Sequence, residues 1–328
     1  MSNESKILVT GSAGFIGFHT TKALLEQGIN VVGVDNLSPY YDLKMKKERN
    51  KILKKYKNYK FHKTSIADFK KLNKVIKKEQ PEKILHLAAQ AGVRYSLENP
   101  WAYAEANYLG TLNIFESAKL NNVKDIIFAS SSSIYGANKK TPFSEDDITD
   151  SPISLYAASK KANELLAHSY HHLYGMNVVG LRFFTVYGTF YRPDMALFKF
   201  TKKILSDEPI DVYNKGQMKR DFTHVGDIVS GILFALKKDH EGFEIYNLGG
   251  GDSIPLMDVV RGLEKRLDKK ATINFLPLQD GDVVETSADI SKAHSQLHYD
   301  PATPFEKGLD EFVAWFKENQ KWLLKLKD

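Results

Sequence analysis

The glycine-rich segment VTGSAGFIG (residues 9–17) limits the possible folds of this chain more than any other feature. It follows the apolar run KILVT (6–10) and precedes an amphipathic segment, which predicts a tight turn from a strand into a helix. Gly11, Gly14 and Gly17 would permit the turn, the approach of a diphosphate to the backbone and close packing of the helix on the strand. The helix N-terminus would offer N–H groups and a positive dipole end to the phosphates. We therefore predict a dinucleotide site.

An acidic residue, Asp35, ends the next predicted strand, NVVGVD (30–35), at 18 residues beyond Gly17. A carboxylate at this place accepts hydrogen bonds from the adenosine ribose hydroxyls and repels a 2′-phosphate. The sequence therefore predicts NAD, rather than NADP, as the cofactor.

Strand and helix patterns alternate through the first half of the chain, with further strand candidates at 60–65, 83–88, 124–130 and 177–183. Near-continuous apolar strands separated by helices predict an α/β fold with a doubly wound parallel (Rossmann) sheet. After about residue 188 the rhythm changes, which predicts a smaller C-terminal α/β substrate domain. We expect the NAD-binding domain at 1–188, with about 219–250 partly returning to it, and the nucleotide-sugar domain at 189–328.

The composition excludes several classes of function. The 328 residues include no cysteine, so disulfides and thiolate catalysis are excluded, and the histidines lack ligand spacing, so no metal is expected. The net charge of +6 is concentrated in the lysine-rich segment 44–63, which we interpret as a solvated helix face, with no nucleic acid as partner. No apolar run approaches the roughly 18 residues of a membrane span. Since MSNESK shows no signal pattern, we expect a cytoplasmic protein with no membrane partner.

A row of serines at 130–133 follows the predicted buried strand and suggests a reactive site. In the helix predicted over 155–175, Tyr156 and Lys160 are four residues apart and project from one face. A lysine ammonium and an oxidised nicotinamide would lower the pKa of the phenol, and a phenolate can take a proton from an alcohol while hydride leaves carbon. Ser131 would hydrogen-bond the reacting oxygen. We predict Ser131, Tyr156 and Lys160 as the catalytic residues.

These segments give the chain a resemblance to the extended short-chain dehydrogenase/reductase family. TGSAGFIG, HLAAQAG, SSSSIYG, YAASK and LRFFTVYG occur in the order of that family, and the likeness covers nearly the whole chain. Within the family, AQAGVRYSLENP (89–100) and GLRFFTVYG (180–188) followed by RPDMA are most like UDP-glucuronate 4-epimerases. The resemblance implies NAD-dependent interconversion of UDP-glucuronate and UDP-galacturonate through a 4-keto intermediate, with NAD kept between turnovers. It also implies a homodimer formed through a four-helix bundle.

The resemblance further implies which residues meet each ligand. The expected NAD contacts are Gly11, Gly14, Phe15, Ile16, Gly17, Asp35, Asn36, Ser65, Ile66, Leu87, Ala88, Ala89, Gln90, Asn107, Ser130, Tyr156, Lys160 and Phe183. The expected UDP-sugar contacts are Arg94, Ser131, Ser132, Ser133, Tyr156, Thr185, Arg192, Ala196, Leu197, Tyr213, Arg220, Gln279 and Asp282.

A uronate substrate imposes a further demand on the site. A 4-keto uronate is a β-keto acid that loses carbon dioxide when its C–carboxylate bond stands perpendicular to the ketone, so the enzyme must hold the carboxylate in the unreactive orientation. Ser132, Ser133 and Thr185, with Arg192 nearby, are the candidates, since preorganised neutral donors fix rotation as well as charge. Thr185 stands where hexose epimerases of the family typically carry asparagine.

Three departures from the family pattern leave alternatives open. Ser65 and Gln279 stand where many relatives carry Asp and Arg, and GTFYRPDMA replaces GPWGRPDMA. The main alternative is a UDP-glucose or UDP-N-acetylglucosamine 4-epimerase. From another class, a non-catalytic NAD-binding sensor would retain the fold without needing an activated phenol. The acid–base residues of sister dehydratases and decarboxylases are absent at Ser132 and Ser133.

Overall fold

A seven-stranded parallel sheet forms the centre of the molecule in the computed structural model, which describes residues 5–327; residues 1–4 of the MSNESK segment and residue 328 lie outside this range. The strands are β1 (Lys6–Thr10), β2 (Asn30–Asp35), β3 (Tyr59–Lys63), β4 (Lys83–His86), β5 (Asp125–Ser131), β6 (Asn177–Phe183), β7 (Thr185–Tyr187), β8 (Ile210–Tyr213), β9 (Lys219–Arg220), β10 (Phe222–His224), β11 (Phe243–Leu248), β12 (Ile254–Pro255) and β13 (Ile273–Leu276). The order in the sheet is β11-β6-β5-β4-β1-β2-β3. The predicted doubly wound Rossmann fold is thereby confirmed.

Helices cover both faces of this sheet, and further helices pack among the segments after β7. In chain order the helices are α1 (Phe15–Glu26), α2 (Leu43–Leu53), α3 (Phe69–Glu79), α4 (Val93–Glu98), α5 (Pro100–Tyr103), α6 (Gly110–Leu120), α7 (Leu155–Tyr174), α8 (Ala196–Leu205), α9 (Val225–Lys237), α10 (Leu256–Leu267), α11 (Ser291–Leu297), α12 (Phe305–Glu318) and α13 (Gln320–Leu323). A π-helical turn (Ala104–Leu109) joins α5 to α6, and 3₁₀ turns span Ser132–Tyr135 and Asn214–Gly216. None of the helices described combines the length and the apolar character that crossing a bilayer requires.

The alternation of apolar side chains along the strands creates a core on each face. Ile7 and Val9 of β1 pack into one cluster with α1 and α9, and Leu8 packs into the other with α3 and α6. Because β1 pairs with β2 on one side and with β4 on the other, the chain reverses direction across the sheet beside β1. Ligands of open α/β sheets bind outside the carboxyl ends of the strands at such a reversal.

The helix α7 begins and ends where the sequence predicts. The hydroxyl of Ser154 accepts a hydrogen bond from the N–H of Ala157 (3.1 Å), and Gly175 closes the helix in the left-handed conformation at φ +61°. This capping fixes the register of the helix, so its first turn carries Tyr156 to the carboxyl end of β5.

Segments after β6 contribute both to the main sheet and to small strand pairs beyond it. β11 pairs in parallel with β6 at the edge of the main sheet, whereas β8 pairs with β13, β9 with β12 and β10 with β7. These small pairs lie over the carboxyl ends of the main strands and complete the cavity described next. The division at residue 188 stays a prediction.

Candidate active site

A cavity of about 850 Å³ opens at the carboxyl ends of β1, β2, β4 and β5. One side is formed by the glycine turn before α1, and the other by residues between β7 and β9 and by the segment around Gly281–Val283. The cavity brings together the predicted coenzyme, catalytic and substrate residues except three. Those three, Asn107, Leu197 and Gln279, do not line it.

The coenzyme end is built from backbone that leaves no room for side chains. A Cβ atom on Gly17 would lie 2.0 Å from the carbonyl oxygen of Gly11, and one on Gly11 would lie 2.8 Å from the nitrogen of Ala88. Gly11 also adopts φ +70°, which favours glycine. Gly14 is the N-cap of α1 without a side-chain cap, so the first turn presents N–H groups toward the cavity. This cradle fits a dinucleotide diphosphate.

Asp35 holds the same turn from the end of β2. One carboxylate oxygen accepts a hydrogen bond from Ala13 N (3.1 Å) and the other from Leu37 N (2.7 Å). Each carboxylate oxygen can accept a second bond, so capacity remains for the two hydroxyls of a ribose. Asn36, Ser65 and Ile66 line the adjoining wall, where the adenosine end would lie.

Tyr156, Ser131 and Lys160 meet where β5 ends against the first turn of α7. The phenol of Tyr156 lies close enough to the hydroxyl of Ser131 for that hydroxyl to lower the pKa of Tyr156. The ammonium of Lys160 is buried and donates a hydrogen bond to the carbonyl oxygen of Ala129 (2.8 Å), and burial lowers the pKa of Lys160 to about 8. All three predicted catalytic residues therefore line the cavity, with Tyr156 and Ser131 side by side.

The electrostatics of Tyr156 differ from the expectation in one respect. Burial raises the pKa of Tyr156 above its usual value, while the Ser131 hydrogen bond and the charge of Arg192 act in the opposite direction. Lys160 is not among the groups that lower this pKa in the protein alone, and its ammonium donates to the Ala129 carbonyl instead. The nearby cation that acts on the phenol is Arg192, which the sequence analysis assigned only to the sugar.

The sugar region is lined by hydroxyl groups and one guanidinium. The Ser131 side chain accepts a hydrogen bond from Ser133 N (3.2 Å) and so starts the 3₁₀ turn that aims Ser132 and Ser133 at the cavity. Thr185 in β7 lines the facing wall, where its N–H donates to Asp221 O (3.0 Å). Arg192 pairs with a carboxylate, that of Asp194, through its Nε at 3.0 Å.

The nucleotide end consists of long side chains that contact each other across the cavity mouth. The Arg94 guanidinium lies 4.3 Å from the ring centroid of Tyr213 and 3.2 Å from the carboxylate of Asp282. Arg220 donates hydrogen bonds to the carbonyl oxygens of Lys219 (2.9 Å) and Val284 (3.1 Å). These predicted substrate residues thus lie at one end of the cavity, with Arg94 paired to Asp282 and Arg220 held by backbone carbonyls.

The three predicted residues that do not line the cavity make contacts within the protein instead. The amide of Asn107 is buried and brackets Gln90, accepting from its N–H (2.8 Å) and donating to its carbonyl (3.0 Å). Leu197 lies on the buried face of α8, and the carbonyl of Gln279 accepts a hydrogen bond from Asp282 N (3.2 Å). Asn107 can therefore position a cavity residue without touching the ligand.

The interpretation of segment 44–63 as a solvated face is wrong for two of its cations. Lys46 and Arg49 lie on the buried face of α2, and Lys46 lines the cavity. Met45, Arg49 and Leu53 recur every four residues, which is the helical spacing of one face. That spacing is the signal by which the sequence could have shown Arg49 to be buried.

Comparison with known proteins shows the family to which the chain belongs. Residues 7–249 match the NAD dependent epimerase/dehydratase family, and the chain belongs to that family. It is 55% identical to an uncharacterized protein of Methanocaldococcus jannaschii, over 98% of each chain, and 45% identical to the UDP-glucuronate 4-epimerase of Thermodesulfobacterium geofontis, again over 98% of each. The crystal structure of the UDP-glucuronic acid 4-epimerase of Bacillus cereus with UDP-glucuronic acid and NAD superposes with a TM-score of 0.91 at 35% identity, covering 96% of this chain and 99% of that one.

Proposed function

We propose that this protein is an NAD-dependent isomerase that interconverts UDP-glucuronate and UDP-galacturonate by inverting C4 of the sugar. The observation that carries the proposal is the placement of Tyr156, Ser131 and Lys160 in one cavity, between the glycine turn and a wall of hydroxyl donors. Two of the proteins described above, the UDP-glucuronate 4-epimerase of Thermodesulfobacterium geofontis and the Bacillus cereus enzyme bound to UDP-glucuronic acid, support the choice of substrate.

Proton transfer at the sugar falls to Tyr156. Bound NAD supplies a reversible hydride acceptor beside the sugar, so the reaction has no net oxidation. The phenolate of Tyr156 takes the proton of the C4 hydroxyl and returns it after the 4-keto sugar has turned over. Ser131 would hold the reacting oxygen by a hydrogen bond, and Lys160, fixed by the Ala129 carbonyl, would supply a positive charge on the wall where the coenzyme would bind.

Ser132, Ser133, Thr185 and Arg192 hold the carboxylate in the orientation that prevents decarboxylation. They approach the sugar from two walls of the cavity, the 3₁₀ turn after β5 and the segment after β6. Donors fixed on two walls can restrict rotation of the carboxylate, which a single cation cannot. The hydroxyl of Thr185 is the group that distinguishes this wall from the asparagine expected in hexose epimerases.

The uridine diphosphate occupies the mouth of the cavity. Arg220 binds the diphosphate, Tyr213 lines the uracil, and Arg94 and Asp282 flank the ribose and sugar. The backbone at Ala196 and Leu197 assists at the start of α8, whose N-terminus faces the cavity with Ala196 on its wall. Gln279, which does not line the cavity, leaves Arg220 as the principal partner of the phosphates.

We further propose a homodimer that works in the cytoplasm and supplies polysaccharide biosynthesis with its sugar donor. Large apolar side chains are exposed along two adjacent helical segments, which is the pattern of an α-helical interface: Leu109 and Leu112 on one, and Leu165, Leu173 and Tyr174 on the other. Pairing of these segments across a twofold axis would form the expected four-helix bundle.

The function is tested by incubating purified protein with UDP-glucuronate and separating the nucleotide sugars, with and without added NAD. We expect a mixture of UDP-glucuronate and UDP-galacturonate, without stoichiometric NADH. UDP-pentose as the main product, or faster conversion of UDP-glucose than of UDP-glucuronate, would contradict the proposal. Absence of any conversion in both arms would favour an NAD-binding sensor.

A further inference from the structure

Arg49 is a buried cation that the proposed chemistry does not use. Its side chain has no exposed surface, and its guanidinium donates to the carbonyl oxygen of Ala13 (3.1 Å), the hydroxyl of Tyr41 (2.6 Å) and the carbonyl oxygen of Phe190 (2.6 Å). Within residues 5–327 no carboxylate forms a salt bridge with it, and its Nε has no hydrogen-bond partner. Because burying an unpaired charge is costly, stability alone does not account for this residue.

The three partners of Arg49 belong to three separate segments of the cavity wall. Ala13 is inside the glycine turn, Tyr41 follows β2, and Phe190 lies in the loop of residues 188–195 that precedes α8. One guanidinium therefore joins the coenzyme turn to the loop that carries Arg192. The separation in sequence between Arg49 and Phe190 is 141 residues.

A second contact from the coenzyme side reaches the same loop. His19 of α1 donates a hydrogen bond from Nε2 to the carbonyl oxygen of Thr189 (2.8 Å), and burial lowers the pKa of His19 to about 4, so the ring is neutral. Phe190 adopts φ +52°, a left-handed conformation that is strained for a bulky residue. Such a conformation persists only where the surroundings fix it, and the bonds from His19 and Arg49 do so.

The fixed loop in turn directs the sugar-facing cation. Arg192 follows Phe190 by two residues, and its guanidinium lies 6.0 Å from the ring centroid of Tyr41, the residue whose hydroxyl Arg49 contacts. Tyr191 is buried with its ring edge-on to that of Phe15 in α1, at 5.1 Å between centroids. Displacement of the loop would therefore move Arg192 relative to the coenzyme turn.

We propose that Arg49 is a positioning residue that fixes the coenzyme turn and the 188–195 loop relative to each other. NAD affinity and recognition of the uronate sugar therefore both depend on it. Its charge, beneath the Ala13 carbonyl, also adds to the positive field at the expected diphosphate position. The inference rests on the proposed function in taking the turn as the coenzyme site and Arg192 as a sugar contact.

The test compares Arg49→Met with Lys47→Met, an exposed cation on the same helix. Titration calorimetry with NAD, with UDP-glucuronate and with UDP separates the two ends of the cavity. For Arg49→Met we expect NAD to bind about tenfold more weakly, as for the loss of hydrogen bonds to a charged group. UDP-glucuronate should lose a similar factor while UDP, which lacks the sugar, should bind as in the wild type; Lys47→Met should match the wild type throughout.

Arg49→Lys decides the matter if Arg49→Met does not fold. Lysine keeps the charge but lacks the fork that spans two carbonyls, so NAD affinity and the preference for UDP-glucuronate over UDP should fall between the two extremes. The proposal would be overturned if folded Arg49 variants kept both the wild-type affinity for NAD and the wild-type preference for UDP-glucuronate over UDP. It would also be overturned if NAD affinity fell while that preference stayed unchanged. These are binding measurements, so a protein that shows them but produces no UDP-galacturonate would contradict the proposed function and leave this inference intact.

Discussion

The two ends of the cavity differ in what lines them: backbone atoms line the coenzyme end, and long side chains line the nucleotide and sugar end. The coenzyme end is a backbone cradle in which glycines touch carbonyl oxygens and amides, and a single added methyl group has no space. The nucleotide and sugar end is made of long side chains, Arg94 with Tyr213 and Asp282, and Arg192 with Asp194, that bind each other. The shape of the first end is fixed by close backbone contacts, whereas that of the second depends on long side chains that can change partners. Substitutions at the coenzyme end should therefore abolish ligand binding, whereas substitutions at the nucleotide and sugar end should weaken it by a limited factor.

Tyr156 lies where the two ends meet, and its removal should have the largest effect. In Tyr156→Phe the phenol that carries the C4 proton is lost, so turnover should fall by about a thousandfold or more. NAD and UDP affinities should stay within about twofold, since neither end of the cavity changes. Turnover is measured by separating the nucleotide sugars. Residual activity above a tenth of the wild-type value would show that Tyr156 does not have the proposed role.

The sharp response of the coenzyme end is tested by Gly17→Ala. The new Cβ would lie 2.0 Å from the Gly11 carbonyl, so the turn must open and NAD binding, measured by titration, should be lost. Gly175→Ala is the matched control, because nothing lies within 4 Å of its added Cβ. Its cost is limited to about 1 kcal/mol for a left-handed alanine, with NAD affinity unchanged. Tight NAD binding by Gly17→Ala would refute the preformed cradle.

The graded response of the nucleotide end is tested at Tyr213. Tyr213→Ala removes the surface expected for uracil and should weaken UDP binding by about tenfold, as for the loss of one base–aromatic contact. Tyr213→Phe keeps the ring and should bind UDP as the wild type does, and NAD affinity should be the same in both. If the alanine variant binds UDP normally, uracil lies elsewhere.

The hydroxyl wall of the sugar region is tested by the product ratio. Thr185→Ala removes one of the donors proposed to hold the carboxylate, so a small but measurable share of UDP-pentose should accompany UDP-galacturonate. Thr185→Ser retains the hydroxyl and should restore the wild-type ratio. An unchanged ratio in the alanine variant would show that Thr185 does not restrict the carboxylate.

The smallest effect concerns the pH dependence of stability. Because burial lowers the pKa of Lys160 to about 8, the folded protein releases this proton before the unfolded chain does. Between about pH 8 and pH 10 the unfolded state therefore binds more protons, and the contribution of Lys160 to the free energy of unfolding becomes more favourable as the pH rises. When unfolding is measured with denaturant, the free energy of unfolding of the wild type should rise relative to that of Lys160→Met between about pH 8 and pH 10. A difference between the two proteins that stays constant over this interval would contradict the prediction.

Regular patterns made the coenzyme end predictable from the sequence. The glycine spacing and the strand end at Asp35 are local features, and the helix carrying Tyr156 has its own caps at Ser154 and Gly175. The role of Arg49 was not predictable in the same way, because its contacts lie in segments far apart in the chain. Charge composition alone assigned Arg49 to the surface, whereas tertiary packing buried it.

The pKa of Tyr156 shows a second limit of sequence reasoning. The spacing of Tyr156 and Lys160 correctly places both on one helix face, yet spacing does not reveal how deeply the phenol is desolvated or where the ammonium points. Both depend on the end of β5 and on the loop carrying Arg192, which only the folded structure brings together.

The central claim is that Tyr156 and Ser131 act on the C4 hydroxyl while the hydrogen on C4 leaves and returns inside the closed site. Its most direct test is UDP-glucuronate labelled with deuterium at C4, incubated with the purified enzyme in ordinary water and analysed by mass spectrometry and proton NMR. The account predicts UDP-galacturonate that retains deuterium at C4, formed more slowly than from unlabelled substrate. Exchange of that deuterium for solvent hydrogen during turnover would contradict it.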